Sequence, residues 1–153
     1  MALAAREGSG HSAPMSTASL SPLIAIHASA ALAATLIGPV ALWARRAGAQ
    51  RPRLHRAAGY AWVTLMGVSA LSALFLPGTL GPRWGHFGLV HLLVPLTLGM
   101  LALAFRYLLA GNIAGHRQTM QWLYLGACVV AGLFTLRPGR LLGSWLAAGF
   151  GAA

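Results

Sequence analysis

Acid is what this chain lacks most. Its 153 residues carry a single carboxylate side chain, Glu7, against 11 basic residues, every one of them arginine. No apolar run contains an Asp or Glu, which argues against a carboxylate proton relay or a carboxylate-lined cation transporter. Serines and threonines in those runs have no acid–base set beside them, so no nucleophile–base pair is visible. Cysteine is almost as scarce. Cys128 stands alone inside an apolar run, so one chain forms no disulfide, cysteine-rich metal site or cysteine-ligated cluster, and gives no hint of redox compartment. Charged residues make up 8% of the chain and hydrophobic ones 58%. A soluble domain is about 25% charged, so water is not the solvent for most of this surface, and the chain reads as an integral membrane protein. The net charge of +10 would suit nucleic acid if the arginines formed one patch. Instead they punctuate the gaps between apolar runs, as topology signals do, and nucleic acid is set aside as a partner.

What is present is four apolar runs within one domain. Residues 1–18, rich in Ala, Ser and Gly, have no periodicity and are expected to be disordered. The first run is not expected to be a cleaved signal: Arg6 and Glu7 cancel before it, and the strong positive charge follows it. A four-helix transmembrane domain is expected over 19–140, with spans at about 20–43, 57–76, 86–109 and 117–136, each long enough for a bilayer core of ~30 Å. Arg45, Arg46, Arg51, Arg53 and Arg56 make the first connection the most basic segment and assign it to the cytoplasm. Pro77–Gly78 opens a tight non-cytoplasmic turn, and Gly111–Asn112–Ile113–Ala114–Gly115 is a short link between antiparallel neighbours. Both termini then lie outside the cytoplasm, in a multi-pass protein of the bacterial inner membrane. The apolar tail, 141–153, is too short to cross and is expected at the interface.

A histidine falls on every run. His55-Arg56 opens the second and His116-Arg117 the fourth, while His27 and His91 lie inside the first and third. The pattern is one helical hairpin written twice. The expected topology puts His27 level with His91 near the outer face, and His55 level with His116 at the cytoplasmic one. In a sequentially wound bundle the members of each pair sit on diagonal helices. Small residues follow the histidines at helical spacing: Ala31, Ala34 and Gly38 after His27; Pro95 and Gly99 after His91; Gly59, Val63 and Gly67 after His55. They leave room for a planar group, or equally let helices approach closely. The histidines have bland readings too. His55 and His116 with their arginines suit lipid headgroups, and His27 and His91 suit hydrogen bonds to a neighbouring helix through Ser29, Thr35 or Thr97. His11 and His86 read as surface residues.

Imidazole ligates haem iron from either side. Zinc would need four ligands converging at one point, which two pairs at opposite faces do not provide. Haem propionates require cations. Arg45, Arg46, Arg53, Arg56 and Arg117 serve on the inner side, Arg83, Arg137 and Arg140 on the outer, with Trp62, Trp122 and Tyr124 available to pack on a porphyrin.

Two resemblances follow from these residues. His27, the His55-Arg56-x-x-Gly59 motif with Trp62 after it, the His116-Arg117-x-x-Met120 opening, and the run from Gly132 to Arg140 make residues 20–145 similar to the bacterial membrane-protein family catalogued as domain of unknown function 2306. Gln118-Thr119 depart from its usual basic-Trp pair. The resemblance implies a fold and little about activity. The layout of helices and histidines also resembles the core of di-haem transmembrane cytochromes b, which implies His27 and His91 on an outer haem and His55 and His116 on an inner one.

The expectation is therefore an all-α membrane protein, a four transmembrane helix bundle of two repeated hairpins. It would bind one or two haem b groups through His27, His91, His55 and His116 and transfer electrons in the bilayer with a redox partner or larger membrane complex. The alternatives are a non-enzymatic accessory subunit whose histidines only bridge helices, or a histidine-lined metal or proton carrier.

Overall fold

The computed structural model describes residues 21–45, 50–77, 83–85 and 87–136, together with 143, 148 and 149. The expected disordered segment 1–18, most of the expected tail 141–153, His11, His86, Arg46, Arg137 and Arg140 lie outside the described residues.

The chain is helical. α1 spans Pro22–Trp43, α2 Pro52–Ala73, α3 Leu93–Leu109 and α4 Ile113–Leu123. A π-helical segment, Tyr124–Val130, and α5, Ala131–Thr135, carry α4 on without a break as one rod. Sequence chemistry sets the starts. Ser21 caps α1, its Oγ accepting from the Ile24 amide at 3.3 Å, ahead of Pro22. Asn112 caps α4 through Oδ1, which accepts from the Gly115 amide at 2.8 Å. Pro52 opens α2, where its fixed φ suits a helix and its missing N–H costs nothing. α2 and α4 thus begin upstream of the expected 57 and 117, because proline and a capping asparagine start helices where hydropathy alone does not. His55 and His116 consequently sit within their helices, one turn from the start, rather than at the lip. Between α2 and α3 a two-residue antiparallel ladder pairs Arg83 with Gly88 and Trp84 with Phe87, turning through Gly85 at φ 63°.

α1 packs most extensively on α2, and α3 on α4; α2 against α3 and α1 against the π segment join the two hairpins. This is the neighbour order of a sequentially wound bundle. The interior stripes are Ala30, Ala34, Gly38 and Ala41 on α1; Ala58, Trp62, Met66 and Ala70 on α2; Val94, Thr97, Leu101 and Ala104 on α3. On the fourth rod they are Thr119 and Leu123, then Cys128. That last step is five residues instead of four because the π turn holds Cys128 on the inner face. Large side chains point the other way: Leu36 is 75% exposed, Phe75 69% and Leu109 87%, and no large side chain among the described residues is fully buried. Small residues inside and leucines outside is the arrangement of helices packing in lipid, where association rests on close backbone approach.

One expected face is corrected. Pro95 and Gly99 do not share the interior face of His91; both are exposed. A 3₁₀ turn, Leu89–Leu92, leads into α3 and has three residues per turn. The buried register therefore steps from His91 to Val94 and Thr97 before the α-helical spacing takes over.

Candidate functional site

Each histidine expected on a span is tied to backbone of the neighbouring element. His55 Nδ1 lies 2.9 Å from the Ala41 carbonyl oxygen, in the last turn of α1, where helix carbonyls run out of amide partners. His116 Nδ1 lies 2.9 Å from the Ala104 carbonyl oxygen of α3. The two clasps occupy the same position in their helices and link the members of each hairpin, so the sequence repeat is also a repeat of contacts. A carbonyl only accepts, so each Nδ1 carries the proton, and in the neutral ring each Nε2 keeps its lone pair. This is the tautomer of a histidine whose second nitrogen is held by a backbone carbonyl while the first is free to ligate.

The other two are held more fully. His27 Nδ1 donates to the Ser69 carbonyl oxygen at 3.0 Å, with Ser72 Oγ at 3.2 Å; that hydroxyl also donates to Ser69. Its partners lie on α2. Ser29 and Thr35, the expected candidates, instead donate to carbonyls of their own helix. His91 is buried and uses both ring nitrogens: Nδ1 accepts the Gly88 amide at 3.1 Å, and Nε2–H donates to the Leu76 carbonyl oxygen at 3.0 Å. A ligating role for His91 would require breaking one of these bonds. His27 anchors in the last turns of α2 and His91 just beyond its end, and neither lines the cavity described next.

At the opposite end, all four rods line a partly open cavity of about 520 Å³ whose walls include both His55 and His116. That volume is within the range of small-molecule and cofactor sites. Gly38, Leu42, Val63, Phe105, Leu108 and Met120 make its apolar lining, and Arg45, Arg56 and Arg117 its cationic one. Gly59 leaves open space, since a Cβ there would meet nothing within 4 Å, whereas a Cβ on Gly38 would collide with the Tyr124 ring and come within 3.1 Å of Trp62 Nε1. Trp62 is 4% exposed, and its Nε1–H is a buried donor lacking a hydrogen-bond partner among the described residues. Tyr124 fastens the wall by donating its hydroxyl to the Thr35 carbonyl oxygen at 3.1 Å.

Of the aromatic residues singled out from sequence, Trp62 and Tyr124 line the cavity, while Trp122 is 62% exposed and does not. Of the arginines, Arg53 is exposed and outside the lining, and Arg83 belongs to the distant ladder. Phe105 and the π segment were not foreseen. An aromatic near a span end has many ordinary explanations, and a π turn has no composition signature. Among the described residues no three His, Cys, Asp or Glu side chains converge, so the cavity offers two imidazoles and not a closed zinc site.

Two helices, Pro22–Trp43 and Val90–Leu109, are long and apolar enough by themselves to cross a membrane. A family model described as "Predicted membrane protein (DUF2306)" matches residues 24–144. No curated protein and no solved structure matches the chain.

Proposed function

The chain belongs to the DUF2306 family of predicted membrane proteins; on that premise we propose that it is a four-span protein of the bacterial inner membrane that holds one haem b between His55 and His116 and serves in electron transfer. The observation that carries this reading is the pair of imidazoles on diagonal helices that line one cavity, each with Nδ1–H bound to a backbone carbonyl and Nε2 left to ligate.

The residues present fit the group. His55 and His116 would hold the iron. Gly38 and Gly59 keep the walls thin, and the arginines would meet anionic substituents of the ring. When bound, the haem would supply one-electron chemistry. The chain's own work is to orient both imidazoles through the Ala41 and Ala104 carbonyls, and to exclude water with Leu42, Val63, Phe105 and Met120. The second pair favours a different role. His91 has both nitrogens engaged, and neither it nor His27 lines the cavity, so the reading assigns one haem, not two, and gives His27 and His91 the task of joining helices.

Topology follows the same lines. α2 has 22 residues, and α4 through α5 run unbroken from Ile113 to Thr135. Both lengths suit a span, in addition to the two apolar helices. Arg45, Arg51, Arg53, Arg56, Arg106 and Arg117 all belong to the cavity end of the rods, an excess that supports a cytoplasmic assignment for that end and an outside one for both termini. The partners in this reading are the lipid bilayer and a redox protein or larger membrane complex.

A second reading has one specific observation behind it: all four histidines bond backbone across an element boundary, which is sufficient work for an accessory subunit with no cofactor. A visible spectrum of the purified protein, expressed with ample haem, separates them. A Soret band with the sharp α and β bands of six-coordinate reduced haem is expected; its absence sinks the haem reading.

A further inference from the structure

We propose that the His55–His116 cavity recognises the two carboxylates of a dicarboxylic porphyrin through Arg45, Arg56 and Arg117, whether or not the porphyrin carries a metal. The inference rests on the reading that a porphyrin is the occupant, and extends it from the iron to the periphery of the ring.

Its basis is the charge at the cavity and the geometry of the repeat. Arg56 and Arg117 directly follow the two clasping histidines, so each hairpin delivers an imidazole and a guanidinium to the same cavity from diagonal helices. Arg45 comes from the end of α1, where its guanidinium lies 3.5 Å from the Gln50 amide oxygen, a neutral partner. No carboxylate side chain occurs among the described residues, because the only one in the chain is Glu7. Among the described residues, the three exposed guanidiniums at the wall of this cavity therefore have no carboxylate counter-charge. Apart from Gln50, the two imidazoles and the polar tips of Tyr60 and Tyr124, the remaining wall is apolar. The matching ligand is amphiphilic, with an apolar body and more than one anionic oxygen group. Guanidinium binds carboxylate through paired, charge-assisted hydrogen bonds. These contacts act on the ring substituents and are independent of what sits at its centre, whereas the imidazoles act only on a metal.

The division of labour is testable with full-length protein in detergent, using metal-free protoporphyrin IX, its dimethyl ester and haem as probes, read by fluorescence quenching and by the Soret band. Wild type is expected to bind the metal-free diacid, and the ester at least tenfold more weakly. The double variant R56Q/R117Q should lose roughly tenfold or more for both diacid and haem, an effect of the size expected for charge-assisted bonds, with R56K/R117K recovering part of it. H55Q/H116Q should lose the six-coordinate haem spectrum. Equal affinity for ester and diacid, or unchanged diacid affinity in a folded R56Q/R117Q protein, overturns the inference and leaves the histidine-ligated haem reading standing. Diacid binding without any haem ligation by wild type does the reverse. Displacement of the diacid by phosphatidylglycerol vesicles but not by phosphatidylcholine, combined with no preference for diacid over ester, would assign the arginines to lipid headgroups and also overturn it.

Discussion

Replacing His55 by asparagine and by alanine separates the two jobs of that side chain. Asparagine places an amide N–H close to where His55 Nδ1–H donates to Ala41, but has nothing at the position of Nε2. Alanine removes both. The Ala41 bond is 2.9 Å long and part-buried, and such a bond contributes about 1 kcal/mol net, with values nearer 0.6 measured between membrane helices. Loss of half-buried imidazole contacts adds about 1 kcal/mol, and the better helix propensity of alanine returns about 0.6. His55→Ala should therefore cost about 1 to 1.5 kcal/mol of unfolding free energy in mixed micelles, and His55→Asn less than about 0.5. The spectrum should respond differently: both variants lose the six-coordinate haem bands, because neither offers a ligand. If His55→Asn keeps stability and the spectrum together, His55 is a clasp alone. If wild type has no haem bands and only the stability ranking appears, the helix-bridging reading replaces the electron-transfer one.

Three further outcomes are expected. His91→Ala, which removes two hydrogen bonds from a buried site, should cost about 2 to 3 kcal/mol in the same micelle assay and leave the haem bands unchanged; loss of the bands in a folded protein would return His91 to the ligand set. Gly38→Ala should destabilise by about 1 to 3 kcal/mol, because its Cβ would overlap the Tyr124 ring; coupling it with Tyr124→Leu should recover most of the loss, and an additive double variant would refute that contact. Gln50→Cys should resist a membrane-impermeant maleimide in intact spheroplasts while Pro77→Cys reacts, since the two positions flank opposite ends of α2; the inverse pattern would reverse the orientation assigned from the arginines.

Reading the chain by composition found what depends on solvent. The shortage of acid, the 8% charge and the apolar runs pointed to a helical membrane protein, since a chain in lipid must satisfy its backbone internally, and the repeated His-Arg openings identified the two hairpins. Hydropathy misplaced the starts of α2 and α4 because helix initiation obeys Pro52 and Asn112, which hydropathy does not register. It also misassigned the His91 face, because 3₁₀ and α turns advance by different angles and nothing in Gly88–Leu92 announces which one forms. The π turn that keeps Cys128 inward was illegible for the same reason.

The sequence by itself determined the solvent, the helix count and the residue types available for ligation, because these depend on transfer free energies that each run carries locally. Only the tertiary structure decided which histidines stand beside a cavity and which one spends both nitrogens on backbone. That choice depends on where a neighbouring carbonyl falls after helices dock, a property of two elements together and of neither alone. The four histidines are chemically equal in the chain; Leu76 and Gly88 on one side, and an open wall at Gly59 on the other, make them unequal in the fold.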